Sequence, residues 1–233
     1  NRFMTIHLGD TQELILETLR TNQSMTLLDI SQAINTDLTI CRDELYKMFN
    51  SHHIVLCDPS SKPLEMRLES SLIFTSDIWN NLVSQSKAIL EDYHQTYPLR
   101  NGMPNQEFRN RMKLEPSSFE IICAQLSSEN LLSTQGGFIK LSGFTPTLQD
   151  DFLIEATTYL SALNNSPFNP PTEIAINPEI QTLLLSEGRI IKISEGLFFH
   201  NEAYTEMKAQ ILNYLNNNET ITVAEARTLF NSS

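Results

Sequence analysis

Few residues in this 233-residue chain combine a reactive type with a spacing that chemistry requires. Glu91 and His94 are spaced as Glu-x-x-His, which is one part of a di-metal carboxylate site. Such a site needs the motif on two helices together with further carboxylates, and the sequence has no second copy. His52 and His53 precede Cys57, but no fourth zinc ligand lies near them in the sequence. The spacings therefore favour structural roles for these residues.

Catalytic and nucleotide-binding motifs are also missing from the sequence. It contains no Gly-x-x-x-x-Gly-Lys-Ser/Thr stretch and no Gly-x-Ser-x-Gly elbow. Gly136-Gly137 leads into a predicted strand, whereas a phosphate loop leads into a helix, so we interpret the pair as a hairpin turn. Asp150 and Asp151 are typical first-turn charges, which the helix dipole stabilises. We therefore predict no catalytic, cofactor-binding or metal-binding residues in this chain.

The charge of the chain argues against extensive contact with nucleic acids. Its 28 acidic and 16 basic side chains give a net charge of −12. Nucleic-acid affinity comes largely from Lys and Arg side chains that displace counterions from phosphates. One segment, 98–114, is an exception because it carries a single acid, Glu107. Its basic residues, named here the basic island, are the candidate nucleic-acid-binding residues: Arg100, Arg109, Arg111 and Lys113.

The basic island has two interpretations, which the sequence leaves open. Arg109 and Lys113 are four residues apart, so we expect them to share a helix face. This face either contacts a phosphate backbone or pairs with acidic side chains of a neighbouring module.

The composition is that of an ordinary globular chain, with 40% hydrophobic and 19% charged residues. No run of about 18 apolar residues occurs, and residues 1–7 lack the regions of a signal peptide. The three cysteines are odd in number and far apart, which fits a reduced cytosolic protein. Since the chain does not begin with Met, we expect a piece of a longer cytoplasmic protein without a membrane partner.

The order of predicted elements repeats along the chain: three helices, then a two-stranded ribbon. This is the outline of a winged helix, and repeats of this size indicate an array of modules. We predict a mainly α fold with small β wings, a tandem array with three complete winged-helix domains and a truncated fourth. The expected divisions are a linker from a preceding domain at 1–9, winged helices at 10–75, 76–143 and 144–200, and the first two helices of an incomplete winged helix at 201–233.

Capping and turn residues support this division. Thr26 with Asp29, and Thr222 with Glu225, have the spacing of capping boxes at helix starts. Residues 58–63 are rich in turn formers and predict the longest ribbon loop. Further helix starts are predicted at Asp37, Pro104, Pro116, Thr147, Asn177 and Asn201. The third helices of the modules carry few basic residues, although helix-turn-helix proteins need them there to enter a groove.

One segment of the second module resembles a known family. It runs Tyr93-His-Gln-Thr-Tyr-Pro-Leu-Arg-Asn-Gly-Met-Pro104 and continues as Glu107-Phe-Arg-Asn-Arg-Met112. The pattern is similar to the second winged-helix domain of SelB, the bacterial selenocysteine-specific elongation factor. The resemblance implies a cytoplasmic factor that carries selenocysteyl-tRNA to the ribosome at a UGA codon. It also implies that the fourth winged helix grips an mRNA hairpin, the selenocysteine insertion element, while the earlier modules act as a spacer.

Two departures from the family bear on what the resemblance implies. The GTPase and barrel domains are absent, so the GTP, magnesium and tRNA sites of the family have no counterpart among these residues. The chain also stops at Asn231-Ser-Ser233, just before the basic segment of the fourth module's recognition helix. We therefore expect a non-catalytic monomer. Its expected partners are the mRNA hairpin through a mostly missing fourth module, the ribosome, and selenocysteyl-tRNA through the absent N-terminal part.

The main alternative is a winged-helix protein-interaction module or transcriptional regulator unrelated to translation. Such a regulator is usually self-contained and dimeric, with a basic recognition helix. The unfinished fourth module and the acidic third helices count against it. A small enzyme on a helical scaffold would need a pocket with convergent titratable groups, which the sequence does not suggest.

Overall fold

The computed structural model describes residues 2–58, 60 and 62–230, with side chains from residue 11 onward. These residues form a mainly helical chain with small antiparallel sheets, which confirms the predicted fold class. The chain divides into two compact units. Unit 1 contains Asn1–Thr96 and Asn101–Phe144, and unit 2 contains Tyr97–Arg100 and Thr145–Ser233. Among the described helices, none combines the length and apolar character of a membrane span.

The first module of unit 1 packs helices against a two-stranded ribbon. Its elements are α1 (Arg2–Asn22), α2 (Leu27–Ala33), α3 (Leu38–Asn50), β1 (Ile54–Cys57), α4 (Leu64–Ser70) and β2 (Leu72–Thr75). The strands are antiparallel, with Ile54 opposite Thr75. The side chain of Thr26 accepts a hydrogen bond from the Asp29 N–H, and Asp29 accepts one from the Thr26 N–H. This reciprocal pair confirms the predicted capping box.

Two features of this module differ from the sequence predictions. Helix α1 already begins at Arg2, inside the 1–9 segment that we expected to be a linker. Between the strands, where we expected only a turn-rich loop after 58–63, the chain forms the short helix α4. Leu68 of α4 is fully buried in the core of the module, and Leu64 packs against that core. Burial in the core of the module therefore stabilises α4, which the turn-forming residues before it do not predict.

The second module, also in unit 1, has a three-stranded wing, in which a further short strand joins the predicted two-stranded ribbon. Its elements are α5 (Ser76–Thr96), β3 (Met103–Pro104), α6 (Asn105–Met112), α7 (Pro116–Ser128), β4 (Leu132–Gln135) and β5 (Phe138–Leu141). The strand order is β3-β5-β4. Pro104 ends β3 and is the N-cap of α6, not a residue of its first turn. Gly136 and Gly137, both with positive φ, form the predicted hairpin turn.

Unit 2 contains the elements α8 (Asp150–Asn165), α9 (Pro178–Ser186), β6 (Ile190–Ser194), β7 (Leu197–His200), α10 (Asn201–Asn217) and α11 (Val223–Phe230). Asn177 caps α9 as predicted, since its side chain accepts from the Glu179 N–H at 2.9 Å. Helix α10 begins at Asn201, as predicted, but the N-caps expected at Thr147 and Asn201 are wrong. Helix α8 follows Gln149 without a side-chain cap, and α10 is capped by His200.

The end of the described chain packs onto unit 2. The Thr222 N–H donates to the Glu225 carboxylate at 2.7 Å, and the Glu225 N–H donates back to the Thr222 hydroxyl at 3.3 Å. This confirms the second predicted capping box. Phe230 is buried against Phe168, with ring centroids 5.0 Å apart, so α11 packs on the segment between α8 and α9. The predicted stop at 231–233 lies outside the described residues.

Candidate nucleic-acid interface

The four residues of the basic island are divided between the two units. Arg100 belongs to unit 2, whereas Arg109, Arg111 and Lys113 lie on or just after α6 in unit 1. Their surroundings differ from residue to residue.

Arg100 is held by contacts within unit 2. Its guanidinium lies 2.6 Å from a carboxylate oxygen of Glu179 and 3.9 Å from the ring centroid of Tyr97. The preceding residue, Leu99, is 4% exposed in the core of this unit. The arginine therefore fastens its own segment to α9, and this favours a structural role over RNA contact.

Arg111 is also paired with acidic side chains. It lies 2.7 Å from the carboxylate of Glu107, one turn earlier on α6, and 3.5 Å from that of Asp92 on α5. These groups are partly exposed, so the pairs contribute less than about 1 kcal/mol to stability. Their main effect is on charge, because the two carboxylates offset the positive charge of this guanidinium.

Arg109 and Lys113 do not share the helix face that their spacing predicts. Helix α6 ends at Met112, and Lys113 is its C-cap with φ 54° and ψ 37°, a left-handed conformation. The exposed side chain of Lys113 therefore leaves the direction of the helical stripe, while Arg109 is half-buried. Neither makes an ion pair with any side chain that the structure describes. Of the basic island, these two cations remain available to a ligand.

His94, part of the Tyr-His pattern and of the Glu-x-x-His spacing, is buried and structural. Its Nε2 accepts a hydrogen bond from the Leu141 N–H at 3.2 Å. Its ring stacks on Phe144, with centroids 3.6 Å apart and planes 8° from parallel. Because Nε2 accepts, Nδ1 carries the proton of the neutral ring. Glu91 instead lies 3.8 Å from Lys87, so the two residues of the spacing do not converge on one site.

The burial of His94 predicts a pH-dependent stability. Desolvation, with a smaller effect of the Lys140 charge, lowers the pKa of His94 below its usual 6.5. The neutral ring therefore stabilises the folded state above pH 6.5, and this contribution is lost as the pH falls toward the lowered pKa. The free energy of unfolding, measured in urea, should fall between about pH 7.5 and about pH 5.5. This fall should be smaller for the His94→Gln variant than for the unaltered chain.

A matched control for this titration is His53→Gln, which changes an exposed histidine in unit 1. Its loss of stability between the two pH values should equal that of the unaltered chain. An equal loss in the His94→Gln variant would instead show that His94 does not cause the dependence.

Gly102, of the Gly-Met-Pro pattern, is required by a close approach of two strands. A Cβ at this position would lie 2.6 Å from the carbonyl oxygen of Ile139. Met103, the next residue, pairs with Ile139 and is fully buried. Phe108 on α6 is fully buried as well. The pattern that carries the family resemblance therefore encodes packing, not a reactive site.

The candidate zinc ligands of the first module do not form a site. His52 and His53 are exposed, whereas Cys57 is fully buried on β1. Burial, with a smaller effect of the Glu129 charge, raises the pKa of Cys57 to about 12, so its thiol is protonated at neutral pH. Within the described ranges, no three His, Cys, Asp or Glu side chains are grouped to hold a metal ion.

Sequence reasoning missed a polar groove in unit 1, with a volume of about 610 Å³, to which Lys113 contributes. Arg20, at the end of α1, lies in the same groove. No spacing rule connects these residues, because they are far apart in the sequence. The isolated position of Arg20 among uncharged polar residues is the only local signal.

Comparisons with known proteins concern mainly the second module. Residues 87–141, about a quarter of the chain, match the family model for the second winged helix of elongation factor SelB. A similar solved structure is the mRNA-binding domain of elongation factor SelB from E. coli in complex with SECIS RNA. It has a TM-score of 0.41 and 12% identity, and the alignment covers 57% of this chain and 97% of that chain. No curated protein sequence matches. Residues 87–141, which contain the Tyr93-to-Met112 pattern, are thus similar to the winged helix of elongation factor SelB.

Proposed function

We propose that this chain is the C-terminal arm of a selenocysteine-specific translation elongation factor. In this proposal the arm is a spacer that links the GTPase and tRNA-delivery part to a tip that binds an mRNA hairpin at a UGA codon. The observation that carries the proposal is the match of residues 87–141 to the SelB winged helix. The Tyr93-to-Met112 pattern lies entirely inside the matched range.

The contacts within the pattern support a spacer role. Its residues are used for packing: Leu99 in the core of unit 2, and Phe108 and Met103 in unit 1. Two of its arginines are paired with carboxylates. A spacer needs defined modules and no reactive groups, so we propose that the chain is not catalytic.

The proposal includes a domain organisation. We assign winged helices to 10–75, 76–143 and 144–200, and the first helices of a fourth to 201–233. Each of the first two assigned modules contains helices followed by an antiparallel pair of strands. The third has the same kind of hairpin, β6–β7.

The proposed partners follow from the same role. The fourth module would bind the selenocysteine insertion hairpin of the mRNA, and the arm would work next to the ribosome. Selenocysteyl-tRNA, GTP and magnesium would be bound by N-terminal domains of the factor, outside this chain. We propose a cytoplasmic, monomeric protein.

The experiment that tests this role is a fluorescence-anisotropy titration with a selenocysteine insertion hairpin and a scrambled hairpin, at low and moderate salt. It compares this chain with one extended by its natural continuation through the fourth module. Only the extended chain should prefer the specific hairpin, by at least about 100-fold. If the extended chain shows no preference, the arm does not belong to a selenocysteine factor, and the interaction-module alternative takes its place.

A further inference from the structure

Unit 1 contains a groove whose lining is rich in polar side chains, named here the Lys113 groove. Its cations are Arg20 and Lys113, and its one acid is Glu115. The uncharged polar residues that line it are Asn22, Gln23, Ser24, Asn81, Gln85 and Ser118. The groove therefore offers two positive charges and many hydrogen-bonding groups in one concave surface.

The two cations of the groove are not neutralised by the protein. Both side chains are exposed, and neither forms an ion pair within the part of the chain that the structure describes. Arg111, from the basic island, is by contrast paired with two carboxylates. In a chain with a net charge of −12, acids are abundant enough to pair with these cations. Their unpaired state is consistent with an anionic ligand.

Two residues of the groove have a left-handed backbone conformation, which makes them suitable for substitution by glycine. Gln23, just after α1, has φ 66°, and Lys113, at the end of α6, has φ 54°. Glycine adopts this left-handed conformation without steric cost, whereas residues with a Cβ do so unfavourably. After α9 the chain does use glycine, at Gly188 with φ 67°. At the groove it keeps two long polar side chains instead, and both line the same surface.

The chemistry of the lining matches the backbone of RNA. Proteins contact the phosphates and sugars of nucleic acids with the side chains of Lys, Arg, Asn, Gln and Ser. The amide side chains can both donate to and accept from a 2′-hydroxyl. The aromatic residue of the lining, Phe74, is only 2% exposed, so it offers no face for base stacking.

We propose that the Lys113 groove binds the sugar-phosphate backbone of an RNA strand without preference for its sequence. Lys113 and Arg20 contact phosphates, and the amides of Gln23, Asn81 and Gln85 contact sugar hydroxyls and phosphate oxygens. This inference deepens the proposed function and rests on it, because the arm of a translation factor works among RNA. It gives the first two modules a second role beside that of a spacer.

The test uses the full isotope-labelled chain and a short single-stranded oligouridylate, followed by NMR at low ionic strength. The side-chain amide signals of Asn22, Gln23, Asn81 and Gln85 should shift as RNA is added. Those of Gln12, which donates to Glu44 elsewhere in unit 1, should not shift. Affinity should fall as salt rises, with a logarithmic slope of roughly −1.4 for two phosphates on a single strand.

Variants at the positive-φ positions separate binding from folding. Lys113→Gly and Gln23→Gly remove groove side chains but suit the backbone, so the thermal midpoint should not fall. Lys113→Gly should weaken RNA binding at least about threefold and reduce the salt slope by about 0.7. His52→Gly is the matched control, because His52 has φ 58° and does not line the groove. It should bind RNA like the unaltered chain.

Two results would overturn the inference. One is a Lys113→Gly variant that is stably folded and binds oligouridylate with unchanged affinity and slope. The other is a polyglutamate chain that binds the groove as tightly as RNA, which would assign it to an acidic polypeptide. Neither result affects the proposed function, since the hairpin titration compares two hairpins through the fourth module.

Discussion

Leu99→Ala should lower the free energy of unfolding of unit 2 by about 2–5 kcal/mol, as expected when a buried leucine is truncated. Leu99 is 4% exposed and packs in one cluster with Leu160, Ile180 and Leu184. The effect is notable for its location, because Leu99 lies in the sequence of the second module. Truncation leaves a cavity between α8 and α9, where packed neighbours relax only partly.

Hydrogen exchange in the full chain measures this effect separately in each unit. Amides of α8 and α9 should exchange faster in the Leu99→Ala variant. Trp79, the single tryptophan, is buried in unit 1 and reports on that unit by fluorescence. The unfolding transition of unit 1 that Trp79 reports should be unchanged in the Leu99→Ala variant. Leu99→Met, which keeps the volume, should cost less than about 1.5 kcal/mol. Faster exchange confined to α5–α7 would show that Leu99 supports unit 1 instead.

Gly102→Ala should destabilise unit 1 by on the order of 3 kcal/mol, through a steric overlap and an unfavourable backbone conformation. The added Cβ would lie 2.6 Å from the backbone oxygen of Ile139, and Gly102 has φ 156°. Backbone atoms cannot rotate away as a flexible side chain can. The pairing of Met103 with Ile139 must therefore loosen or the wing must shift.

Urea unfolding followed by Trp79 fluorescence measures the effect of Gly102→Ala. Gly143→Ala is a matched control in the same unit, since Gly143 has φ 82° but nothing within 4 Å of its added Cβ. The control should cost about 1–2 kcal/mol from backbone strain alone. If both variants cost the same, the Ile139 carbonyl does not restrict residue 102, and the account of the Gly-Met-Pro pattern is wrong.

These two variants together describe how the family pattern works. Leu99 and Gly102 are three residues apart, yet the first packs in unit 2 and the second in unit 1. The short segment Tyr97–Arg100 thus leaves the sequence of its own module to complete another core. The Arg100–Glu179 ion pair fastens the same segment. The pattern lies in the sequence of one module, but its residues are needed for packing in both units.

The sequence alone predicted the features that depend on residues close together in the chain. Helical periodicity, the capping box of Thr26 with Asp29, and the Gly136-Gly137 hairpin all involve contacts within a few residues. The mainly α class with small β wings follows from these local elements. The pattern from Tyr93 to Met112 likewise predicted the similarity of residues 87–141 to the SelB winged helix, because it is a local string of residue types.

Tertiary structure alone decided features whose partners are distant in the sequence. The short helix α4 forms because Leu68 has a core to enter, and β3 forms because Met103 finds Ile139. The candidate interface follows the same rule. Arg100 and Lys113 are both cationic, but Glu179 pairs with the first, whereas no described carboxylate forms an ion pair with the second. The sequence specifies which side chains are charged, whereas the pairing of charges depends on which side chains folding brings within a few ångströms of each other.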